Sequence, residues 1–214
     1  MVMEIYIGLA AAAIPSAAAI YLWRRVNNVY ESGLKILRET VIELDAKDPY
    51  FNGHIKSVEN LLMLLADELN FSKRKKNELK VALYLTEIGK IRIPDYIIKK
   101  RERLTDEESI IVKKHPVISW RMVEEIKGME KTAKIVRAHH ERYDGEGYPD
   151  NMLGDSIPLE ARMINIADSY IAMISERPYK KTISENDAVE ELRKGKGKQF
   201  DAELVEKFIK ILKK

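Results

Sequence analysis

Two regimes of apolar residues divide this chain. From Ile5 to Trp23 it is one uncharged run, IYIGLAAAAIPSAAAIYLW. At about 1.5 Å per residue such a helix spans roughly 28 Å, close to the ~30 Å hydrocarbon core of a bilayer. Tyr6, Tyr21 and Trp23 lie near its ends, where amphipathic rings favour the interface. Glu4 precedes the run and Arg24 and Arg25 follow it, an asymmetry that puts the C-terminal bulk in the cytoplasm. With no Lys or Arg ahead of the run, a cleaved signal peptide is disfavoured. Pro15 and the alanines keep a buried soluble helix as the competing reading. Residues 1–25 are expected to be a single-pass cell-membrane anchor, with residues 5–23 in the bilayer.

Beyond the arginines the spacing changes. Val26, Tyr30, Leu34, Leu37, Val41 and Leu44 recur at steps of 4, 4, 3, 4 and 3, with polar residues between them. That stripe predicts an amphipathic helical stalk or linker over residues 26–47, on which a homodimer could form. Asp48 to Gly53 reads as a boundary loop. A third unit, residues 48–214, then carries helical signals throughout. Helices are expected over Ile55–Leu69, Lys75–Leu85, Lys131–Glu141 and Leu159–Ile174. Gly89 and Pro94 end one pattern. Thr105 to Glu108 is a capping box, and Pro116 suits the first turn of the next helix. Ser184 and Asp201 are expected N-caps for the last two helices. Tyr143 to Pro158 is a Gly- and Pro-rich loop, and Lys194 to Lys198 a surface loop. No alternating strand pattern stands out, so the fold class is all-α, a multi-helix bundle behind an anchor and stalk.

Composition narrows the chemistry. The chain has 214 residues and a net charge of +3, with acids and bases interleaved, which gives no footprint for a nucleic-acid polymer. It has no cysteine, so any transition metal must be held by His, Asp and Glu. There are four histidines: His54, His115, His139 and His140. The first two fall at helix starts, and the adjacent pair falls near a helix end. Asp168 and Glu87 lie in apolar helices, where a carboxylate is costly without a partner. Imidazoles and carboxylates drawn from separate helices suit a hard or borderline divalent metal. Adjacent histidines on a helix point about 100° apart, so the pair is expected to reach two neighbouring ions. Two such ions could activate a water and clamp a phosphoryl group.

The ordered motifs resemble the HD-GYP family, a branch of the HD-domain metal-dependent phosphohydrolases. The resemblance runs from about Gly53 to Phe208. It is carried by Gly53-His54, Ile88-Gly89-Lys90-Ile91, Ile93-Pro94-Asp95, Leu104-Thr105 with Glu107-Glu108, His115-Pro116 and the H-H-E-R of His139 to Arg142. The loop D-G-E-G-Y-P from Asp144 to Pro149 follows, then Ile157-Pro158-Leu159, Ala161-Arg162, Ala167-Asp168, Arg177-Pro178-Tyr179-Lys180 and Phe200-Asp201. The resemblance implies a helical bundle around a two- or three-metal site, usually iron or manganese, and hydrolysis of cyclic di-GMP; one or two ions are expected in this chain. It implies His54, Glu87, His115, His139, His140 and Asp168 as metal ligands. Lys90 and Glu87 would serve the chemistry, and Lys90, Arg177, Lys180 and Tyr148 would contact the substrate.

The chain also departs from that pattern. Thr86-Glu87 occupies the place of the family's His-Asp pair. Ile171 stands where the family usually has an Asp, Tyr50 where three-metal members carry a Glu, and Ser57 where an Arg is usual. Weakened metal binding follows, at least ~10–100-fold for a lost ligand or its support. Three functions are therefore open: a membrane-tethered cyclic dinucleotide phosphodiesterase, a phosphohydrolase acting on another nucleotide, or an inactive receptor. The receptor would bind nucleotide, metal, or a protein partner at the GYP loop.

Overall fold

The computed structural model describes residues 17–47, 53–175 and 182–213. The chain divides into two units, Met1–Glu39 and Thr40–Lys214. The first helix, α1 (Ala17–Lys47), contains the end of the apolar run. No helix among the described residues is long and apolar enough to cross a membrane. Residues 1–16 of the expected anchor lie outside the described residues, as does most of the boundary loop, residues 48–52. In the expected stripe, the side chains of Val26, Tyr30 and Leu34 lie outside the described set. Leu37 and Leu44 are half-buried and Val41 is fully buried.

The second unit is helical, as expected. α2 (His54–Glu68) and α3 (Lys73–Glu87) are separated by a polar turn in which Ser72 Oγ accepts the Lys75 amide at 3.3 Å. A 3-10 turn (Ile88–Arg92) and a one-turn helix α4 (Asp95–Ile98) follow. The sequence shows Gly89 and Pro94 only as stops. Gly89 stands there because its chain lies against the next long helix: a Cβ would sit 2.4 Å from the His115 carbonyl oxygen. α5 (Asp106–Val112) opens on the expected capping box. Thr105 Oγ1 accepts the Glu108 amide, and the Glu108 carboxylate accepts the Thr105 amide at 2.8 Å. α6 (His115–Val123) carries Pro116 in its first turn. α7 (Glu130–Ala138) stops three residues short of the expected end, because the Glu141 amide bonds the Ala138 carbonyl and tightens the last turn. α8 (Leu159–Ile174), α9 (Glu185–Lys194) and α10 (Ala202–Leu212) complete the unit, the last two capped by Ser184 and Asp201.

α8 is the central element. Met163, Ile164 and Ile166 on it are fully buried, with Leu62 and Leu65 of α2, Leu192 of α9 and Phe208 of α10. Each such side chain contributes roughly 1.5–3 kcal/mol by leaving water. α2, α7, α9 and α10 pack on α8, while α6 packs on α7, on α3 and on the 3-10 turn. Among the described residues no strand forms; two isolated bridges, Asp144 with Leu153 and Lys196 with Phe200, pin loops. The Asp144 amide also bonds the Lys198 carbonyl at 2.8 Å, so the 143–158 loop rests on the KGKGK turn.

Candidate metal centre

Helix ends carry most of the chemistry. His54 begins α2, Glu87 ends α3, His115 begins α6, and His139 and His140 follow the last residue of α7. Asp168 projects from the middle of α8. His115 and His139 are buried, His140 is half-buried, and His54 is 8% exposed.

Backbone carbonyls set the tautomers. His115 Nδ1 lies 2.9 Å from the Val112 carbonyl oxygen, and His139 Nδ1 lies 2.6 Å from that of Val136. A carbonyl only accepts, so both Nδ1 atoms must be the donors. Each neutral ring then keeps its lone pair on Nε2. Those two Nε2 atoms face each other at 3.1 Å. Two acceptors at that distance repel unless a cation or proton lies between them, so the arrangement suits a metal. The His140 ring adds to it: ligand atoms of His115, His139 and His140 all lie within 4.8 Å of one another. The His139 and His140 ring centroids are 4.1 Å apart. The adjacent pair therefore converges, against the expectation of two divergent ligands, because the tightened turn takes His140 off the regular helix.

Burial keeps these rings neutral. It pushes His115 down to about 3, with the neighbouring His139 adding to the effect. Burial also lowers His139 and, together with His139 and His115, lowers His140 well below the ordinary imidazole range. Neutral imidazoles are what a metal requires.

The carboxylates are held differently. His54 Nε2 bonds Asp168 Oδ1 at 2.8 Å. Burial pushes the Asp168 carboxyl up, but His54 and His140 outweigh it and bring it to about 2. Glu87 pairs with the Lys90 ammonium on the 3-10 turn. There too burial acts upward, and Lys90 with His115 and His139 takes the carboxyl to about 2. Thr86 is buried, and its hydroxyl donates to the Leu83 carbonyl at 2.6 Å. Ile171 is buried in α8 and carries no proton to exchange. Ser57 donates to the Gly53 carbonyl. Tyr50, Arg177 and Lys180 lie outside the described residues.

The Gly-rich loop reaches the centre through Tyr148. Its ring stacks on His140 at 4.9 Å and 25°, and the exposed Lys113 ammonium lies 5.6 Å from the ring centre. Three residues without a role in the sequence reading hold this geometry. Glu141 is 2% exposed, and its carboxylate accepts the Asp150 amide at 2.7 Å and the Met152 amide at 3.0 Å. Asn165 donates to the carbonyls of His139 and Glu141. Ser119 accepts the Gly89 amide and donates to the Thr86 carbonyl, both at 2.8 Å. A signal for Asn165 was present, since it lies three residues before Asp168 on the same helix. Gly147 must be glycine, because a Cβ would sit 2.2 Å from the Arg142 amide.

Fold and site together define a helical domain built around a buried histidine–carboxylate metal centre. The chain belongs to the HD-domain family, whose HD-domain model matches residues 40–204, and within it to the HD-GYP branch. It is 32% identical over 187 residues to the cyclic di-GMP phosphodiesterase response regulator RpfG of Xanthomonas campestris pv. campestris, covering 86% of this chain and 50% of that protein. It is 36% identical over 169 residues to a cyclic di-GMP phosphodiesterase of Thermotoga maritima, covering 78% of this chain and 46% of that one. This chain spans about half the length of these relatives. The fold is also that of a solved cyclic GMP-AMP specific phosphodiesterase of Vibrio cholerae, with a TM-score of 0.65 at 17% identity, over 84% of this chain and 48% of that one.

Proposed function

We propose that this chain is a metal-dependent phosphodiesterase domain that opens a cyclic dinucleotide, cyclic di-GMP first among candidates. The observation that carries the reading is the convergence of three neutral imidazoles beside two ionised carboxylates, under the Tyr148 ring. The names of the relatives point to the same substrate class. His115, His139 and His140 would hold the ion, with His54, Glu87 and Asp168 completing its surroundings. Iron or manganese, when bound there, would polarise the phosphate and supply hydroxide. Lys90 would face the developing charge on the phosphoryl oxygens, and Tyr148 would offer an aromatic face to a base. Arg177 and Lys180 would add phosphate contacts.

One observation favours a receptor instead. Thr86 stands where the family's His would ligate, and a neutral hydroxyl that donates to the Leu83 carbonyl is a poorer metal ligand than an imidazole nitrogen. Protein loaded with iron or manganese and incubated with cyclic di-GMP separates the two readings. Linear product that disappears in His139→Ala supports the enzyme; binding without product supports the receptor. The run over residues 5–23 would tether the domain at the cell membrane, with a cytoplasmic C-terminal unit and a stalk that could pair two copies. Fractionation tests this, a soluble full-length chain being the adverse result.

A further inference from the structure

Ligands in this site are not equally ready. Among the described residues, His115, His139 and His140 are the one group of three or more His, Asp or Glu side chains whose ligand atoms already converge. The remaining expected ligands are engaged with partners. His54 bonds Asp168. Glu87 bonds the Lys90 ammonium. Thr86, in the place of the family's His, donates its hydroxyl to the backbone and has no nitrogen to offer.

We infer that this chain holds a single divalent cation, on His115, His139 and His140, and that the Lys90 ammonium supplies at Glu87 the positive charge a second cation would bring. The inference rests on the metal-centre reading above and changes its stoichiometry. Three observations carry it. The facing Nε2 atoms of His115 and His139, with the His140 ring beside them, offer three ligand atoms to one cation at one point. Glu87 is mostly buried, at 17% side-chain exposure, and is already neutralised by a group three residues away on the same turn. A second ion would have to displace Lys90 from it, break the His54–Asp168 bond, and do so without an imidazole at position 86. An ammonium cannot lower the pKa of a bound water as a metal does, so at Glu87 Lys90 balances charge without generating hydroxide.

The test counts ions. Full-length protein is reconstituted with Mn2+, desalted, and assayed for manganese per chain by mass spectrometry, with EPR to report coupling between ions. One Mn2+ per chain without exchange-coupled features is expected. His139→Ala should retain less than a tenth of that manganese. The double variant Thr86→His, Lys90→Ala restores a nitrogen and vacates Glu87; it should take a second Mn2+ and show coupling. Helix content by circular dichroism checks that both variants are folded, and the wild-type count stands without them. Two ions per wild-type chain, none at all, or an ion that survives His139→Ala overturns the inference. A folded double variant that stays at one ion overturns the role given to Lys90. Hydrolysis of cyclic di-GMP is scored apart from the count. One ion without product sinks the proposed activity and leaves the stoichiometry standing; two ions with product does the reverse.

Discussion

The two halves of the centre are built by opposite means. On the imidazole side, His115 and His139 are aimed by their own backbone, each Nδ1 donating to the carbonyl three residues earlier. On the carboxylate side, Asp168 and Glu87 are aimed by other side chains, the His54 ring and the Lys90 ammonium. A carbonyl leaves the ring's second nitrogen free for a ligand, whereas a side-chain partner occupies the carboxylate oxygen a metal would use. The first half is pre-organised for a cation; the second must be unpaired before it can bind one.

Acid separates the halves most strongly. His115 titrates at about 3 in the fold and near 6.5 when unfolded. The unfolded chain therefore binds the extra proton between those values, and stability present above pH 6.5 is lost as pH falls toward 3. For this one ring the loss is on the order of 5 kcal/mol. Glu87 and Asp168, lowered to about 2, lose their contribution only below their ordinary values of 4.5 and 3.8. Urea unfolding of metal-free protein should weaken from pH 6.5 to 4.5 on account of the imidazoles; a flat profile there would break the contrast.

Metal affinity is the next measure. His139→Ala should weaken Mn2+ binding by more than ~100-fold, and Asp168→Asn by about 10-fold, in competition with a fluorescent chelator. Equal losses would mean the halves share the ion evenly. The loop that backs the imidazole half is tested by Glu141→Gln. Glutamine offers one oxygen to two amides and leaves a donor facing a donor, at a cost of about 2 kcal/mol in chemical denaturation. The smallest effect belongs far from either half: Thr105→Ala removes the cap of α5 and should cost about 1 kcal/mol with Mn2+ affinity unchanged.

Much of this was legible in the sequence, for physical reasons that differ by element. The capping box at Thr105 and the caps at Ser184 and Asp201 are local hydrogen-bond chemistry, and they form as read. With four histidines and no cysteine, few metal sites were available, and three imidazoles meet. Their convergence was not legible, because it depends on one tightened turn after Ala138 that the helical period does not anticipate. The Glu87–Lys90 pair has the i,i+3 spacing that marks side-chain partners, yet competing roles for both residues hid it. Glu141 stood in plain view beside His140, but its bonds go to amides nine and eleven residues on, and nothing local records such a reach.

That reach sets what the loop can become. Because the Glu141 carboxylate takes hold of main-chain N–H groups at 150 and 152, it is indifferent to which side chains those positions display. Drift there can change which side chains the loop displays while the imidazoles stay put. Proline alone is barred, since it has no hydrogen to give.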